Sequence, residues 1–461
     1  MNKIPAIAIF DIGKTNKKLL VFDEQYKLLY EEIKQFEEIN DEDGFACEDI
    51  LQLTQWVKDS FKRLLDKKQF KVKAVNFSAY GASFVYLDDD LKVMLPLYNY
   101  LKPYPAELQK KFYKDYGGEN LFARQTASPV LGSLNSGMQL YRLKYEKPTL
   151  FKKIKWALHL PQYISFILSS AICADITSIG SHTNLWDFRH NKYHKWVKQE
   201  GVEDKLPRIL SCNAIAGYAR HKIPAGTGLH DTSAALIPYL ASFAEPFILL
   251  STGTWCISLN PFNHARLNNS ELGMDCLCYL SYAGKRVKAS RLFAGYEHEQ
   301  QVKRLSLYFN KPYDYFTSVV CDVSILNKLM PATKKVRKAS RPVMIGESLF
   351  AERNLDDFVN YEEAYHQLIS DIISQQIKST SLVLKGTHVK RIFVDGGFSK
   401  NNIYMYLLAE AFPSVEVYAA SLAQASALGA ALAIHQHWNT KPLPADIINL
   451  RLFSVTHDAV V

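Results

Sequence analysis

Four short segments concentrate the residues able to do chemistry. The first, Asp11-Ile12-Gly13-Lys14-Thr15-Asn16-Lys17-Lys18, sets a carboxylate beside a glycine turn and three lysines. A tight glycine turn aims successive backbone N–H groups into one concavity, a nest for phosphate oxygens. Lys14, Thr15 and Asn16 add donors, and Asp11 stands where a carboxylate can hold Mg²⁺ or its water shell. The same residues also describe a plain charged hairpin loop. A Walker A loop is excluded, because Gly-Lys-Thr here lacks the upstream glycine and the following helix.

The second segment is Ser251-Thr252-Gly253-Thr254-Trp255, two threonines around a glycine, suited to a second phosphate or to an ordinary turn. The third is Val394-Asp395-Gly396-Gly397-Phe398-Ser399-Lys400-Asn401. Its paired glycines let backbone approach a flat or anionic ligand, unless it is only a strand-to-helix turn capped by Ser399 or Asn401. The fourth runs from Ala225 to Ala235 and carries Asp231 beside a glycine-rich loop and before a run of small residues. Asp231 reads either as a helix N-cap or as a carboxylate that takes a proton from a substrate hydroxyl.

These segments need elements to hold them. Ile4–Phe10 and Lys17–Asp23 read as two strands around the first glycine turn, with Lys27–Gln35 a third. Glu48–Asp66 has a helical period through Ile50, Leu53, Val57, Phe61 and Leu64. Val72–Ser78 returns to β character, with Phe84–Leu87 expected as its partner across Gly81. The stretch from Pro96 to Pro224 reads as mostly helical and aromatic. Near residue 245 the strand, turn, strand pattern recurs, in Pro246–Ser251 and Trp255–Asn260. A helix over Glu362–Leu384, a buried strand Arg391–Val394, a helix from Asn402, a strand near Val415–Tyr418 and a helix from Leu422 complete the reading. No fixed short period exists, so a solenoid is excluded. Two similarly built α/β halves, 1–244 and 245–461, with a cleft between them, are expected.

Composition narrows the class. The 461 residues are 48% hydrophobic and 22% charged, which excludes a disordered or collagen-like chain. Fifty-five basic against 46 acidic residues leave +9, a surplus that suits anionic ligands without implying nucleic acid. The basic run Lys334, Lys335, Arg337, Lys338 and Arg341 lacks interleaved aromatics and reads as a solvated loop. Seven scattered cysteines form no Cys-x-x-Cys pair, and His182, His190 and His194 lack metal-ligand company. No export signal precedes Asp11, and Tyr163–Cys173 is too short to span a bilayer. A cytoplasmic protein without nucleic-acid or membrane partners is expected.

Taken in order, the four segments resemble the FGGY carbohydrate kinases, especially the rhamnulokinase and L-fuculose kinase branch. Most specific are Gly228-Leu229-His230-Asp231-Thr232-Ser233-Ala234 and Ser251-Thr252-Gly253-Thr254-Trp255. Val75 to Phe84 looks like the branch's sugar-proximal loop. The resemblance implies two ribonuclease H-like (actin-like ATPase) domains with an interdomain catalytic cleft, the first for sugar and phosphate, the second for nucleotide. It implies ATP and Mg²⁺ as cofactors, a ketose such as L-rhamnulose or L-fuculose as substrate, and a monomer or homodimer. On this likeness Asp231 matches the catalytic base, and Asp11 stays the candidate metal-holding carboxylate by its place beside the first glycine turn. Gly81, Ser83, His230, Thr232 and Arg291 fall at sugar-side positions. Gly13, Lys14, Thr15, Asn16, Lys17 and Lys18 cover the first phosphate loop, Thr254 the second. Gln300, Gly396, Gly397 and Asn401 match nucleotide contacts.

The sequence departs from the branch where Trp-Gly-Val-Asp-Phe becomes Tyr80-Gly81-Ala82-Ser83-Phe84, and where Tyr-Arg-Asp becomes Tyr98-Asn99-Tyr100. The loss of the carboxylate at Ser83 removes an acceptor for sugar hydroxyls, which bears on the sugar more than on phosphoryl transfer. Two other classes remain in view. One is an actin-like ATPase or sugar sensor that transfers nothing to sugar. The other is a nucleic-acid binder, suggested only by the charge.

Overall fold

The structure is a computed structural model that describes residues 3–329, 348–422, 424–444 and 446–453. The basic run at Lys334, Lys335, Arg337, Lys338 and Arg341 lies outside the described residues. In chain order the principal elements begin with β1 (Ile4–Ile12), β2 (Lys17–Asp23), β3 (Leu28–Lys34), α1 (Ile50–Asp66) and β4 (Phe70–Ala79). After a long excursion come α2 (Ser136–Glu146), α3 (Leu160–Ser169), β5 (Ile215–Ala219), β6 (Ile223–Gly226), β7 (Leu229–His230) and α4 (Asp231–Ser242). The second half gives β8 (Phe247–Thr252), β9 (Cys256–Asn260), β10 (Cys276–Leu280), β11 (Arg286–Leu292), α5 (Ala294–Tyr308) and α6 (Tyr361–Leu384). It ends with β12 (Arg391–Gly396), α7 (Asn402–Ala411), β13 (Glu416–Ser421), α8 (Ala425–Ala433) and β14 (Asn449–Phe453).

Two seven-stranded sheets result. The first runs β5-β6-β4-β1-β2-β3, with β7 also on β4. In it β1 and β2 are antiparallel while β1 and β4 are parallel. The second runs β10-β11-β9-β8-β12-β13-β14, with β8 antiparallel to β9 and parallel to β12. Each sheet thus opens on a hairpin whose first strand then pairs in parallel with a later one.

By compactness the chain divides into two units. One comprises 1–242, 278–286 and 424–447; the other comprises 243–277, 287–423 and 448–461. In the first, α1 follows its N-cap Asp49, whose side chain accepts from the amides of Leu51 and Gln52. The predicted apolar stripe (Ile50, Leu53, Val57, Phe61, Leu64) is buried against Phe10, Leu19 and Val21. The aromatic middle of the chain forms its own cluster around Phe112, with Phe122, Tyr141 and Trp196 edge-on to it.

One expectation is corrected here. Phe84–Leu87 is a strand, but its partner is Trp156–His159 and not β4. Phe84 and Tyr86 are buried in the aromatic cluster, and the Phe84 ring lies 4.0 Å from that of His159. Packing thus pulls the strand away from the turn at Gly81.

Among the described residues no helix is long and apolar enough to cross a membrane. All seven cysteines are free thiols, six of them buried.

Candidate functional site

In the first unit Asp11 is the last residue but one of β1, in register with Lys18 of β2 and with Ser78 of β4. Two parallel or antiparallel neighbours therefore fix its backbone. Its carboxylate accepts the Ser426 hydroxyl at 2.9 Å. Burial raises its carboxyl to about 6; Ser426 opposes that shift and the charge of Asp231 adds to it.

Asp231 opens α4 directly after the short strand β7. Its Oδ1 accepts from the amide and the hydroxyl of Thr232, at 2.6 and 3.2 Å, and about a third of the side chain is exposed. Asp231 is the first residue of the helix and not the residue before it, and part of its carboxylate stays open. His230 is buried, with Nε2 3.5 Å from Asp231 Oδ1, and burial lowers its basicity. Gly81 lies against this imidazole so closely that a Cβ there would sit 2.7 Å from Cδ2 and Nε2. Ser83 is buried nearby in sequence, its carbonyl accepting from Leu160.

The first turn is closed by the Gly13 amide on the Asn16 carbonyl, 2.9 Å. Its lysines differ sharply. Lys17 is buried, its amine donating to the Lys14 carbonyl at 2.7 Å and pairing with Glu48 at 3.1 Å. Lys14 is part-exposed between Glu38 and Glu48, and Lys18 donates to Gln424. Thr15 is exposed, and the Asn16 side chain accepts from Gln35. The turn thus braces itself from below through Lys17 and leaves its upper donors accessible.

In the second unit the Thr252–Trp255 turn is held from two sides. The Gly253 amide donates to the Trp255 carbonyl, and the Tyr296 amide donates to the Thr254 carbonyl. Gly295 allows this approach, since a Cβ there would lie 1.9 Å from the Gly253 carbonyl oxygen. Gly396 has φ +95°, and a Cβ would fall 2.0 Å from the Thr252 carbonyl. The side chain of Thr252 donates to the Asp395 carbonyl and accepts from the Phe398 amide, stitching the second and third segments together.

Gly397 follows in a short turn. Asn401 caps α7, its Oδ1 accepting from the Tyr404 amide and its Nδ2 donating to the Tyr365 hydroxyl. The capping alternative is therefore realised at Asn401. Gln300 sits part-buried on α5. Arg291 makes a two-pronged pair with Asp275 and lies over the Trp255 ring at 5.2 Å. A cavity of about 440 Å³ opens beside the third segment, lined by Ser399, Lys400, Asn402, Ala420, Asn449 and Arg451.

Within the first unit the fold brings together Asp11, Gly13 to Lys18, Gly81, Ser83 and His230 to Thr232. Within the second, Gly396 abuts Thr252 and Arg291 lies over Trp255, with Asn401 capping α7 and Gln300 on α5. The sequence reading missed Ser426, Glu48 and Tyr279. For Ser426 a signal existed: Ala425-Ser426-Ala427-Leu428-Gly429-Ala430-Ala431 is as small-residued as Thr232-Ser233-Ala234-Ala235. Two such runs mark helices that touch backbone to backbone, and α8 does pack on α4. Nothing local flagged Tyr279.

Known proteins resemble this chain over parts of its sequence and over nearly all of its fold. The N-terminal domain model of the FGGY family of carbohydrate kinases matches residues 6–237, and its C-terminal domain model matches 363–435. A rhamnulokinase of Halalkalibacterium halodurans is 25% identical over 260 residues, covering 54% of each chain. A probable L-xylulose kinase of Pasteurella multocida is 25% identical over 226 residues, 48% of this chain and 46% of its own. The chain thus spans about half the length of the curated relatives it matches. A solved carbohydrate kinase from Novosphingobium aromaticivorans superposes with TM-score 0.78 at 21% identity, covering 98% of this chain and 95% of that one. The fold is accordingly that of two ribonuclease H-like, actin-like domains.

Proposed function

Because the chain belongs to the FGGY family of carbohydrate kinases, we propose that it transfers the γ-phosphoryl group of ATP to a hydroxyl of a ketose. L-Rhamnulose, L-fuculose and L-xylulose are the acceptors to test first. Rhamnulokinases and probable L-xylulose kinases are among the relatives, and L-fuculose belongs to the same branch by motif.

One observation carries the reading: a half-open carboxylate, Asp231, electrostatically coupled to a buried one, Asp11. Two carboxylates with different environments divide into different roles. Asp231 accepts the proton of the acceptor hydroxyl as that oxygen attacks the γ-phosphorus and ADP departs. Phosphoryl transfer needs mainly positioning and charge neutralisation. His230, Thr232 and the backbone at Gly81 and Ser83 orient the acceptor. The amide of Gly13 and the donors of Lys14, Thr15, Asn16 and Lys18 meet phosphate oxygens, while Lys17 shapes the turn. Thr254, Gln300, Gly396, Gly397 and the helix start at Asn401 serve the nucleotide, with Arg291 holding Trp255 in place.

Asp11 suits a divalent cation, since burial leaves its negative charge undercompensated. Among the described residues no cluster of three or more metal-ligating side chains occurs. Mg²⁺ keeps most of its ligands as water and phosphate, so a single protein carboxylate is enough to anchor it. When bound, the ion supplies charge neutralisation at the phosphates. We place the enzyme in the cytoplasm, as a monomer or homodimer.

The test is a coupled ADP-release assay with Mg-ATP against a ketose panel containing those three sugars. Ketose-dependent ADP release supports the proposal. ADP release that ignores every ketose points instead to an ATPase or sensor on the same fold.

A further inference from the structure

Residues 278–286 follow the whole of β8 and β9 in sequence, yet they count with the unit that carries Asp231. Their anchorage there is specific. The Leu280 amide donates to the Gly180 carbonyl, and the Ser233 hydroxyl donates to the Leu280 carbonyl, both at 3.2 Å. The Cys278 amide donates to the Ala127 carbonyl at 2.9 Å. Gly180 is compatible with this seat because a Cβ would meet the Leu280 side chain at 2.6 Å.

The anchorage delivers Tyr279 onto His230. The two rings stack with centroids 5.7 Å apart and planes 24° from parallel. His182 stands edge-on to both, at 6.3 Å from His230 and 5.8 Å from Tyr279. Its own ring is tethered by Nδ1 to the Leu134 carbonyl at 3.1 Å. The Cδ2–Nε2 edge of His230 is meanwhile bounded by Gly81 and Asp231. The plane of the imidazole is therefore set by Tyr279 and His182, and its Nε2 edge is directed at the base. Tyr279 itself is only 2% exposed, so it acts through His230.

We infer that Tyr279 is a positioning residue for acceptor specificity, its ring holding the His230 imidazole in the plane that meets a ketose hydroxyl beside Asp231. The inference rests on the kinase reading above. It assigns the effect to the ring face, which stacks on the imidazole. A neutral imidazole presents one donor and one acceptor nitrogen, so a tilt of its plane misdirects a directional bond to a sugar hydroxyl.

The experiment compares wild type with Tyr279→Phe, Tyr279→Leu and Tyr279→Met, using ADP release with L-rhamnulose, L-fuculose, L-xylulose and D-xylulose. Melting temperatures are recorded alongside. Leu and Met should raise KM for the preferred ketose about tenfold and narrow the kcat/KM gap between best and second-best ketose. KM for ATP should stay within twofold. Phe should match wild type, and it keeps the test decisive if the Leu variant does not fold. The inference is overturned if Leu and Met leave the ketose KM unchanged, if KM for ATP shifts in step, or if Phe behaves like Leu. Wild type that is active with any ketose keeps the kinase reading intact in each of those cases. Wild type silent on every ketose overturns both.

Discussion

On the proposed reading a single side chain carries the proton transfer. Asp231 shares one oxygen with Thr232 and keeps part of its carboxylate open, and this arrangement is easily disabled without disturbing the fold. Asp231→Asn retains the volume and an acceptor for the Thr232 amide but cannot take a proton. We expect an unchanged melting temperature, unchanged Mg-ATP binding, and kcat lower by about 10³-fold, in the usual range for a lost general base. Calorimetric titration with Mg-ATP and the ADP-release assay measure the two halves of that statement. Near-normal turnover would remove Asp231 from the role of base. Asp231 could be singled out in the sequence because Gly228 to Ala234 is a contiguous motif. Tyr279 could not, since its contact with His230 spans almost fifty positions and no periodicity encodes it. The contrast between Lys17 and Lys14 was equally hidden, because only the fold shows which lysine is covered by Glu48.

At the level of elements, α5 and the pair α4–α8 carry measurable consequences. Glu297 on α5 is buried and accepts the Ser348 hydroxyl; burial raises its carboxyl to about 7, with the charge of Asp371 adding to the shift. A carboxyl raised in the folded state costs nothing below its unfolded value near 4.5. It costs progressively more as pH climbs to 7, and the full amount above that. Glu297→Gln keeps the acceptor for Ser348 and removes the titration. Its melting temperature should equal wild type at pH 4.5 and exceed it at pH 8, by up to about 3 kcal/mol in stability. A difference that stays flat with pH would show that Glu297 does not titrate in this window.

For α4 and α8 the critical position is Gly429, where a Cβ would sit 1.8 Å from the Ala234 carbonyl oxygen. Backbone cannot yield there as a flexible side chain can, so Gly429→Ala should cost about 2–3 kcal/mol. It should also lower kcat, because the helix displaced is the one that begins at Asp231. Stability loss with unaltered turnover in the surviving fold would contradict that coupling. The elements themselves were largely readable: both hairpins, α1, α6 and β12 fall within a residue or two of their predicted limits. Alternation and helical stripes are local signals. The partner of Phe84–Leu87 was misjudged because pairing is decided by packing, which no local pattern records.

The whole molecule is not two consecutive pieces. The unit that bears Asp11 and Asp231 takes in 278–286 and 424–447 as well as the first 242 residues. Ser426, the hydrogen-bond donor to Asp11, comes from the last of these stretches. Asn76 of β4 reinforces the same closure: its Nδ2 donates to the Ala430 carbonyl at 2.7 Å, and its Oδ1 accepts from the Gly228 amide at 3.2 Å. A fragment ending at residue 244 would expose the face of α4 that α8 covers. It should therefore melt without a cooperative transition by circular dichroism, although it contains every strand of the first sheet. A sharp transition in that fragment alone would show that α8 is dispensable to the unit.

The late arrival of α8 also sets a timetable. On the ribosome, Asp231 emerges long before the helix that braces it. Roughly two hundred further residues separate α4 from the end of the last stretch, a delay of roughly 10–40 s at typical synthesis rates. For that interval the nascent chain presents the small-residue face of α4 bare to the cell, as a client for chaperones. Asp11 and Asp231 reach their final places only once the stretch 424–447 has been made, so a chain stopped ahead of α8 should be inert however much of its earlier sequence survives.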